Sequence, residues 1–340
     1  MAATLHDVAR LAGVSIKTVS NVINDYPHVR PATRERVEEA IAQTGYRPNR
    51  AARLLRSGRS GLISLIMPDL RNVYFAELAN DVMTAAATHG LSVLIEQIRG
   101  EEGPEAELEV VDAAMRRGVD GVLYSVLAMR DEDVAELRKA PVPMVLLGER
   151  IFGGPTDHVT MQNVEAARAA TEHLISRGAT RIAALGAHTG EVVGSAGLRL
   201  RGYREALEAA GIPYDERLVP PGGTWFRSDG ARLMQELIDD GVEFDAVFGF
   251  NDAVAFGAMR VLQESGRRVP EDVLVMGFDD LDETRYTKPA LSTIDPGRQR
   301  IAETAVDFLV ERINAGDDGP VAREVEVPFR VVERESTARR

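Results

Sequence analysis

The stretch Ile16 to Asn24, IKTVSNVIN, sorts polar and apolar side chains at helical spacing. At about 100° per residue, Val19, Val22 and Ile23 share one face, and Lys17 and Asn21 fall almost opposite. Thr18 and Ser20 lie on the flanks. A cation, an amide and hydroxyls on one face are the groups that read base edges or grip phosphates in a major groove. The plainer alternative is a small helical hairpin with an ordinary solvated face.

The flanking sequence supplies the elements that would hold this face. In TLHDVARLAG, Thr4 can cap a first helix, with Asp7 as a weaker stand-in for the Glu of a capping box. Val8 and Leu11 lie one turn apart, Gly13 ends the helix, and Ser15 can cap the next. A third helix is expected over about Ala32 to Thr44, started by Pro31, with Val37 and Ile41 on one face and Gly45 as its stop. A short basic segment, Asn49 to Ser57, follows.

Net charge is −13 over 340 residues, which suits a DNA binder only once it is divided. Residues 1–60 carry ten Lys and Arg against five acids, a surplus of +5 that leaves −18 on the remainder. A basic arm on an acidic body implies that the arm alone meets DNA, with binding that weakens steeply in salt. There is no cysteine, which fits a reducing cytoplasm and excludes Cys-based zinc sites. No apolar run approaches the ~18 residues of a membrane span, and no secretory leader is evident.

From Leu62 onward, short apolar runs such as GLISLIMP, DGVLYS, VPMVLLG, RIAALG, FDAVFGF and DVLVMGF alternate with amphipathic helical patterns. One of these helices is expected at Asp131 to Lys139. Strands apolar on both faces and alternating with helices mean parallel sheets covered on each side. The rhythm restarts after about Val159, so two Rossmann-like lobes with a cleft between them are expected, and ligands in such sheets sit beyond the carboxyl ends of the strands. No GxxxxGK[ST], HExxH or GxSxG is present, so an enzyme is not expected. The glycine-rich loop Gly186, Gly190, Gly194, Gly197 lacks a phosphate loop's lysine and reads as a mobile pocket rim. The acidic cluster Asp279, Asp280, Asp282, Glu283 could suggest Mg²⁺ or Ca²⁺, or Asp279 could point into the cleft with the others solvated, and the resemblance given below favours the second. The six histidines show no metal spacing. Neither a metal nor a cofactor is expected.

VARLAGVSIKTVSNVIN, TRERV and GYRPNRAARLLRSG closely resemble the headpiece and hinge of the LacI/GalR family of bacterial transcription regulators, and the similarity continues through the chain. The resemblance implies an α/β protein. It has a helix-turn-helix headpiece (1–48), a hinge (49–60) and a periplasmic-binding-protein-like effector and dimerisation domain (61–340). The lobes would comprise about 61–161 with 293–319, and 162–292 with 320–340, crossing near Asn163, Thr293 and Pro320. The candidate DNA-binding set is Thr4, Ser15, Ile16, Lys17, Thr18, Ser20, Asn21, Asn24, His28, Thr33, Tyr46, Asn49, Arg50, Ala52, Arg53 and Leu55. Leu55 corresponds to the family's minor-groove wedge, and Ala52 to the close hinge contact. In the effector site, the family pattern RxxG[YF] places Arg199 on the ligand, with Ser195 just before it. Ser125, Asn251 and Asp279 stand at strand ends, Phe75 forms a wall, and Trp225 corresponds to an aromatic pocket position.

Several positions depart from the family pattern. Asn21 stands where many relatives have arginine, and Arg30 replaces a helix-capping side chain. Gln162 replaces the aspartate of the family's DN site, which leaves the ligand class more open. The expected function is a cytoplasmic, homodimeric repressor of a carbohydrate operon, released from a palindromic operator by a small sugar. A nucleobase or other metabolite acting as corepressor is the alternative. A cytoplasmic sugar-binding or sugar-processing protein is the alternative of a different class.

Overall fold

The computed structural model describes residues 3–23, 26–46, 59–98, 103–127, 129, 137, 142–316 and 319–338. The chain divides into two compact units, Met1–Ser60 and Gly61–Arg340.

The first unit contains helices α1 (Leu5–Ala12), α2 (Ile16–Ile23) and α3 (Pro31–Thr44). Thr4 and Asp7 form a full reciprocal capping box at α1, so the shorter aspartate suffices there, and Gly13 ends the helix at φ 66°. Ser15 Oγ accepts the Thr18 N–H at 3.1 Å, satisfying one of α2's orphan donors. Pro31 opens α3, and Arg30 makes no side-chain cap bond. Val8, Val19 and Val37, one from each helix, are fully buried together.

The second unit runs β1 (Leu62–Met67), α4 (Val73–Thr88), β2 (Ser92–Gln97), α5 (Gly103–Arg116), β3 (Gly121–Ser125), β4 (Met144–Leu147) and β5 (Asp157–Met161). The alternation continues with α6 (Asn163–Ser176), β6 (Ile182–Leu185), α7 (Ser195–Ala209), α8 (Arg227–Asp239), β7 (Ala246–Gly249), α9 (Asp252–Glu264) and β8 (Leu274–Met276). It closes with β9 (Thr293–Asp295), α10 (Arg298–Ala315), β10 (Glu324–Val327) and β11 (Arg330–Val332). The helix expected at Asp131 to Lys139 lies almost wholly outside the described residues.

Two parallel sheets result, ordered β10-β5-β4-β3-β1-β2 and β6-β7-β8. Each is covered on both faces, which is why strands such as GVLYS and AVFG are buried throughout. Helix α10 returns to the first sheet. There Gly121 lets Leu309 approach so closely that a Cβ on it would lie 2.8 Å from Leu309 Cδ1.

The chain passes between the lobes at Met161–Asn163, through β9, and through the segment joining β10 to β11. The last crossing corrects the expected position near Pro320. Strand β10 pairs in parallel with β5 and so belongs to the first lobe, and the chain leaves only after Val327. The short β11, which the sequence reading did not anticipate, then pairs antiparallel with β9.

Asp157 closes this lobe chemically. It is fully buried at the start of β5, where Arg312 Nε (2.7 Å) and Arg323 Nη2 (2.9 Å) donate to its Oδ2 and the Arg323 N–H donates to its Oδ1 at 2.8 Å. Burial would raise this carboxyl, but the two guanidinium groups outweigh it and hold the pKa at about 2. The folded-state value is depressed, so the stabilisation is present above the ordinary aspartate value of 3.8 and is lost as pH falls toward 2. Asp157→Asn leaves two arginines without their anion and should cost about 3 kcal/mol at neutral pH. Urea unfolding should show the deficit narrowing between pH 4 and pH 2; a constant deficit would mean that packing, not charge, accounts for it.

Candidate DNA face and effector cleft

On α2, Val19 and Val22 are buried, while Ser15, Ile16 and Lys17 are exposed and Asn21 is half-exposed. The outward face therefore combines an ammonium, an amide and a hydroxyl with the Ile16 methyls, which suit contact with a thymine methyl. Thr18 shares a hydrogen bond with Ser15 at 2.9 Å, so those two hydroxyls are pre-set together. Ser20 is half-exposed on the flank. Thr4 is engaged in its capping box. His28 is exposed and packs edge-on against Tyr26, Thr33 stands in the first turn of α3, and Tyr46 packs on the headpiece core. Asn24 and the hinge candidates Asn49, Arg50, Ala52, Arg53 and Leu55 lie outside the described residues.

In the second unit, the carboxyl ends of the two sheets face one cavity of about 1290 Å³. Arg199 lies at its base, only 2% exposed. The Arg-x-x-Gly-Tyr spacing explains its placement. Arg199, Gly202 and Tyr203 share one buried face of α7. A Cβ at Gly202 would collide with the Val164 carbonyl of α6, and the Tyr203 hydroxyl donates to Ile182 O at 2.8 Å, seating the helix on β6. Arg199 Nε then donates to Asn163 Oδ1 at 2.8 Å, Nη1 donates to Phe250 O, and the guanidinium stacks 3.6 Å over the Phe278 ring and 5.0 Å over Trp225. Burial pulls its pKa down, and Asp279 and Glu149 counter this.

Asp279 follows β8 with φ 120°, a conformation that costs a residue bearing a Cβ. Its N–H donates to Ile294 O at 2.8 Å. Asp252 secures the same turn from below: it accepts Thr293 Oγ1 at 2.6 Å and the Leu281 N–H at 2.9 Å. Burial raises both carboxyls, and for Asp279 the result is about 7, because Arg199 and Arg298 only partly offset the burial and the nearby Glu77 and Glu149. Asn251 caps α9 through Oδ1 (Val254 N–H, 2.8 Å), and its Nδ2 donates to the Trp225 carbonyl at 3.1 Å. Trp225, at φ 66°, donates Nε1 to Gly186 O at 2.7 Å.

Phe75, Ser125, Ser195, Arg199, Trp225, Asn251 and Asp279 all line this cavity. Gln162 does not. It stands at the start of α6, and its neighbours Met161 and Asn163 are the residues that reach Arg199. The acidic cluster is corrected at one position: Asp280 is not solvated but pairs with Arg334 at 2.5 Å, whereas Asp282 is exposed and the half-exposed Glu283 pairs with Arg227 at 2.9 Å. Among the described residues, no group of acidic or histidine side chains could hold a metal ion.

Sequence reasoning missed the first lobe's polar wall and its partners. Glu149 accepts Ser195 Oγ at 2.6 Å across the cleft. Arg150 donates to Val193 O at 3.2 Å and lies 3.7 Å from Glu191, which in turn lies 2.8 Å from His188. Glu149 and Arg150 sit just past β4, so the rule of strand carboxyl ends was the available signal.

A helix-turn-helix unit joined to a two-lobed binding fold defines a DNA-binding regulator that answers a small molecule. The comparisons agree. Residues 4–49 match the model of bacterial regulatory proteins of the lacI family, and residues 171–337 match the periplasmic binding protein-like domain. The HTH-type transcriptional regulator CelR of Thermobifida fusca is 38% identical over 338 residues, covering 97% of this chain and 97% of that protein. The solved CelR–cellobiose complex superposes with a TM-score of 0.70 at 34% identity, covering 98% of this chain and 99% of that one. The lac repressor dimer bound to operator and the anti-inducer ONPF gives 0.83 at 30% identity, covering 99% of each chain. The chain belongs to the LacI family of bacterial regulatory proteins. It is a DNA-binding transcriptional regulator and not an enzyme. No helix among the described residues is long and apolar enough to cross a membrane.

Two outcomes are expected. Lys17→Ala should weaken binding to every operator sequence about equally and reduce the slope of log affinity against log salt by about 1, measured by fluorescence anisotropy. An unchanged slope would place Lys17 off the phosphates. The raised folded-state pKa of Asp279 means that the wild type loses stability as pH rises from about 4 to about 7. Asp279→Asn should remove that loss, so its ligand-free melting temperature should vary less with pH over this range. A melting temperature that falls as steeply in the variant would assign the loss to another group.

Proposed function

We propose that this chain is a cytoplasmic, homodimeric repressor of a carbohydrate-utilisation operon, released from a palindromic operator by a small sugar. The observation that carries the reading is the lining of the cleft. Arg199, Asp279 and Asn251 converge there beside the Trp225 indole and the Phe75 ring. A guanidinium, a carboxylate and an amide are the groups that bridge vicinal hydroxyls, and an indole accepts the apolar face of a pyranose. Two-fold operator symmetry calls for two headpieces, hence the dimer. The hinge, with Leu55 as wedge, would pair on DNA between them. Release then requires the sugar to favour the non-binding state by a few kcal/mol.

The test uses Trp225, the chain's one tryptophan. Its fluorescence should respond saturably to one member of a panel of mono- and disaccharides. Cellobiose comes first, because CelR, similar to this chain, was solved with it. The same sugar should release the wild-type protein from DNA. Arg199→Ala should lose that response by at least tenfold in affinity and still bind operator. Purines belong in the panel, since an indole also stacks a base. Saturation by a purine, with tighter operator binding, would replace the sugar reading with a corepressor one.

A further inference from the structure

The glycine-rich rim loop that carries His188 has no role in the reading above, yet it joins three parts of the cleft. His188 Nδ1 lies 2.8 Å from Glu191 Oε2, and Nε2 lies 2.8 Å from the Gly223 carbonyl oxygen. A carboxylate and a carbonyl only accept, so both ring nitrogens donate, and the ring is an imidazolium. Gly223 opens the segment that presents Trp225, whose ring centroid is 5.8 Å from that of His188. Glu191 continues across the cleft to Arg150 of the first lobe at 3.7 Å, and the same arginine donates to Val193 O at 3.2 Å.

We propose that His188 is a positioning residue of the effector site. As an imidazolium it ties the rim loop to the Trp225 loop, and through Glu191 and Arg150 it latches the second lobe onto the first. The effector part of this statement rests on the cleft being the effector site; the latch itself does not.

The alternative is an ordinary surface ion pair, and the packing argues against it. The Glu191 side chain is 14% exposed and packs closely against Gly194, which makes room for it by having no Cβ. A Cβ on Gly194 would lie 2.5 Å from Glu191 Oε1 and 3.1 Å from Arg150 Cζ. The loop is also pinned at its base, where the Gly222 N–H donates to Ala187 O at 2.5 Å. The charges facing the imidazolium are Glu191 from its own loop and Arg150 from the first lobe. Beyond Gly223, Asp229 is occupied by Thr224 Oγ1 and the Phe226 N–H. Arg199 and Asp279 lie past Trp225.

The Glu191 hydrogen bond raises the His188 pKa above the ordinary 6.5, against burial and against Arg150. Glu191 is lowered in turn: burial opposes this, and His188 and Arg150 outweigh it. A raised histidine gives its stabilisation fully below the ordinary value and loses it as pH rises through the higher one. The latch therefore holds below the ordinary histidine value and opens as pH rises through a midpoint above it.

The lone tryptophan reports this without any ligand, because a protonated imidazole in contact quenches indole emission. Full-length, sugar-free protein is titrated from pH 5.5 to 9.5 while Trp225 emission is followed. Beside a contribution from Asp279, the wild type should brighten through a transition with its midpoint above 6.5. His188→Gln, which keeps one donor, should remove that transition and leave only the contribution of Asp279. Glu191→Gln should lower the midpoint. Arg150→Gln should move it the other way, upward, by less. Melting temperatures at pH 6 identify any variant that fails to fold, and Glu191→Asp then substitutes for Glu191→Gln.

A transition of wild-type amplitude that survives in His188→Gln, or a midpoint unmoved by Glu191→Gln, overturns the assignment. A midpoint unmoved by Arg150→Gln overturns the cross-cleft latch. If sugars later prove not to bind, these titrations stand, so failure of the effector reading is distinguishable from failure of the latch.

Discussion

The cleft depends on one constraint: a guanidinium removed from water. Arg199 is almost fully buried, and a buried cation is tolerated only where acceptors and counter-charge surround it. Asn163 and Phe250 supply the acceptors, from the crossing into the second lobe and from the end of β7. Phe278 and Trp225 supply ring faces, which attract a cation through their quadrupoles. Asp279 supplies the charge. The partners come from four connections, Phe278 and Asp279 sharing the one after β8, so holding one side chain brings four strand ends and loops into register. A ligand that bridges Arg199 and Asp279 enters a site whose polar groups are already aimed.

The same region carries strain. Trp225, Asp279 and Asp280 adopt left-handed backbone conformations that glycine would take more cheaply, and two buried carboxyls stand close together. Such features persist only where surrounding structure over-determines them. Here the over-determination is visible: Asp252 holds the turn after β8 through Thr293 and Leu281, and Arg334 holds Asp280. Stability given up in the cleft is offset by the buried Asp157 network and the helix-covered sheets.

Cross-cleft contacts connect this site to the lobe angle. Glu149 meets Ser195, Arg150 meets Val193 and Glu191, and Arg71 lies 5.3 Å from the Phe226 ring centroid. All three sit at the cavity lining, so a ligand that enters must replace or reinforce them. This is the differential interaction that a two-state regulator requires.

Most of the architecture was legible in the chain itself. Helix caps at Thr4, Gly13 and Pro31, the period of Val19 and Val22, and the doubly apolar strands are local, because propensity and patterning act over a few residues. The lining positions Asn251 and Asp279 were legible as strand ends that match the family's, and Arg199 through the resemblance to the family's RxxG[YF] pattern. Only the tertiary structure placed β10 in the first sheet, since strand pairing between Glu324 and His158 spans the chain and leaves no local trace. Only it left Gln162 out of the cavity lining, buried Asp280 against Arg334, and brought His188, Glu191 and Arg150 together. Most of these outcomes are pairings, of backbone or of charge, between segments distant in sequence or in different lobes. They are set by which surfaces meet, and no periodicity along the chain encodes that.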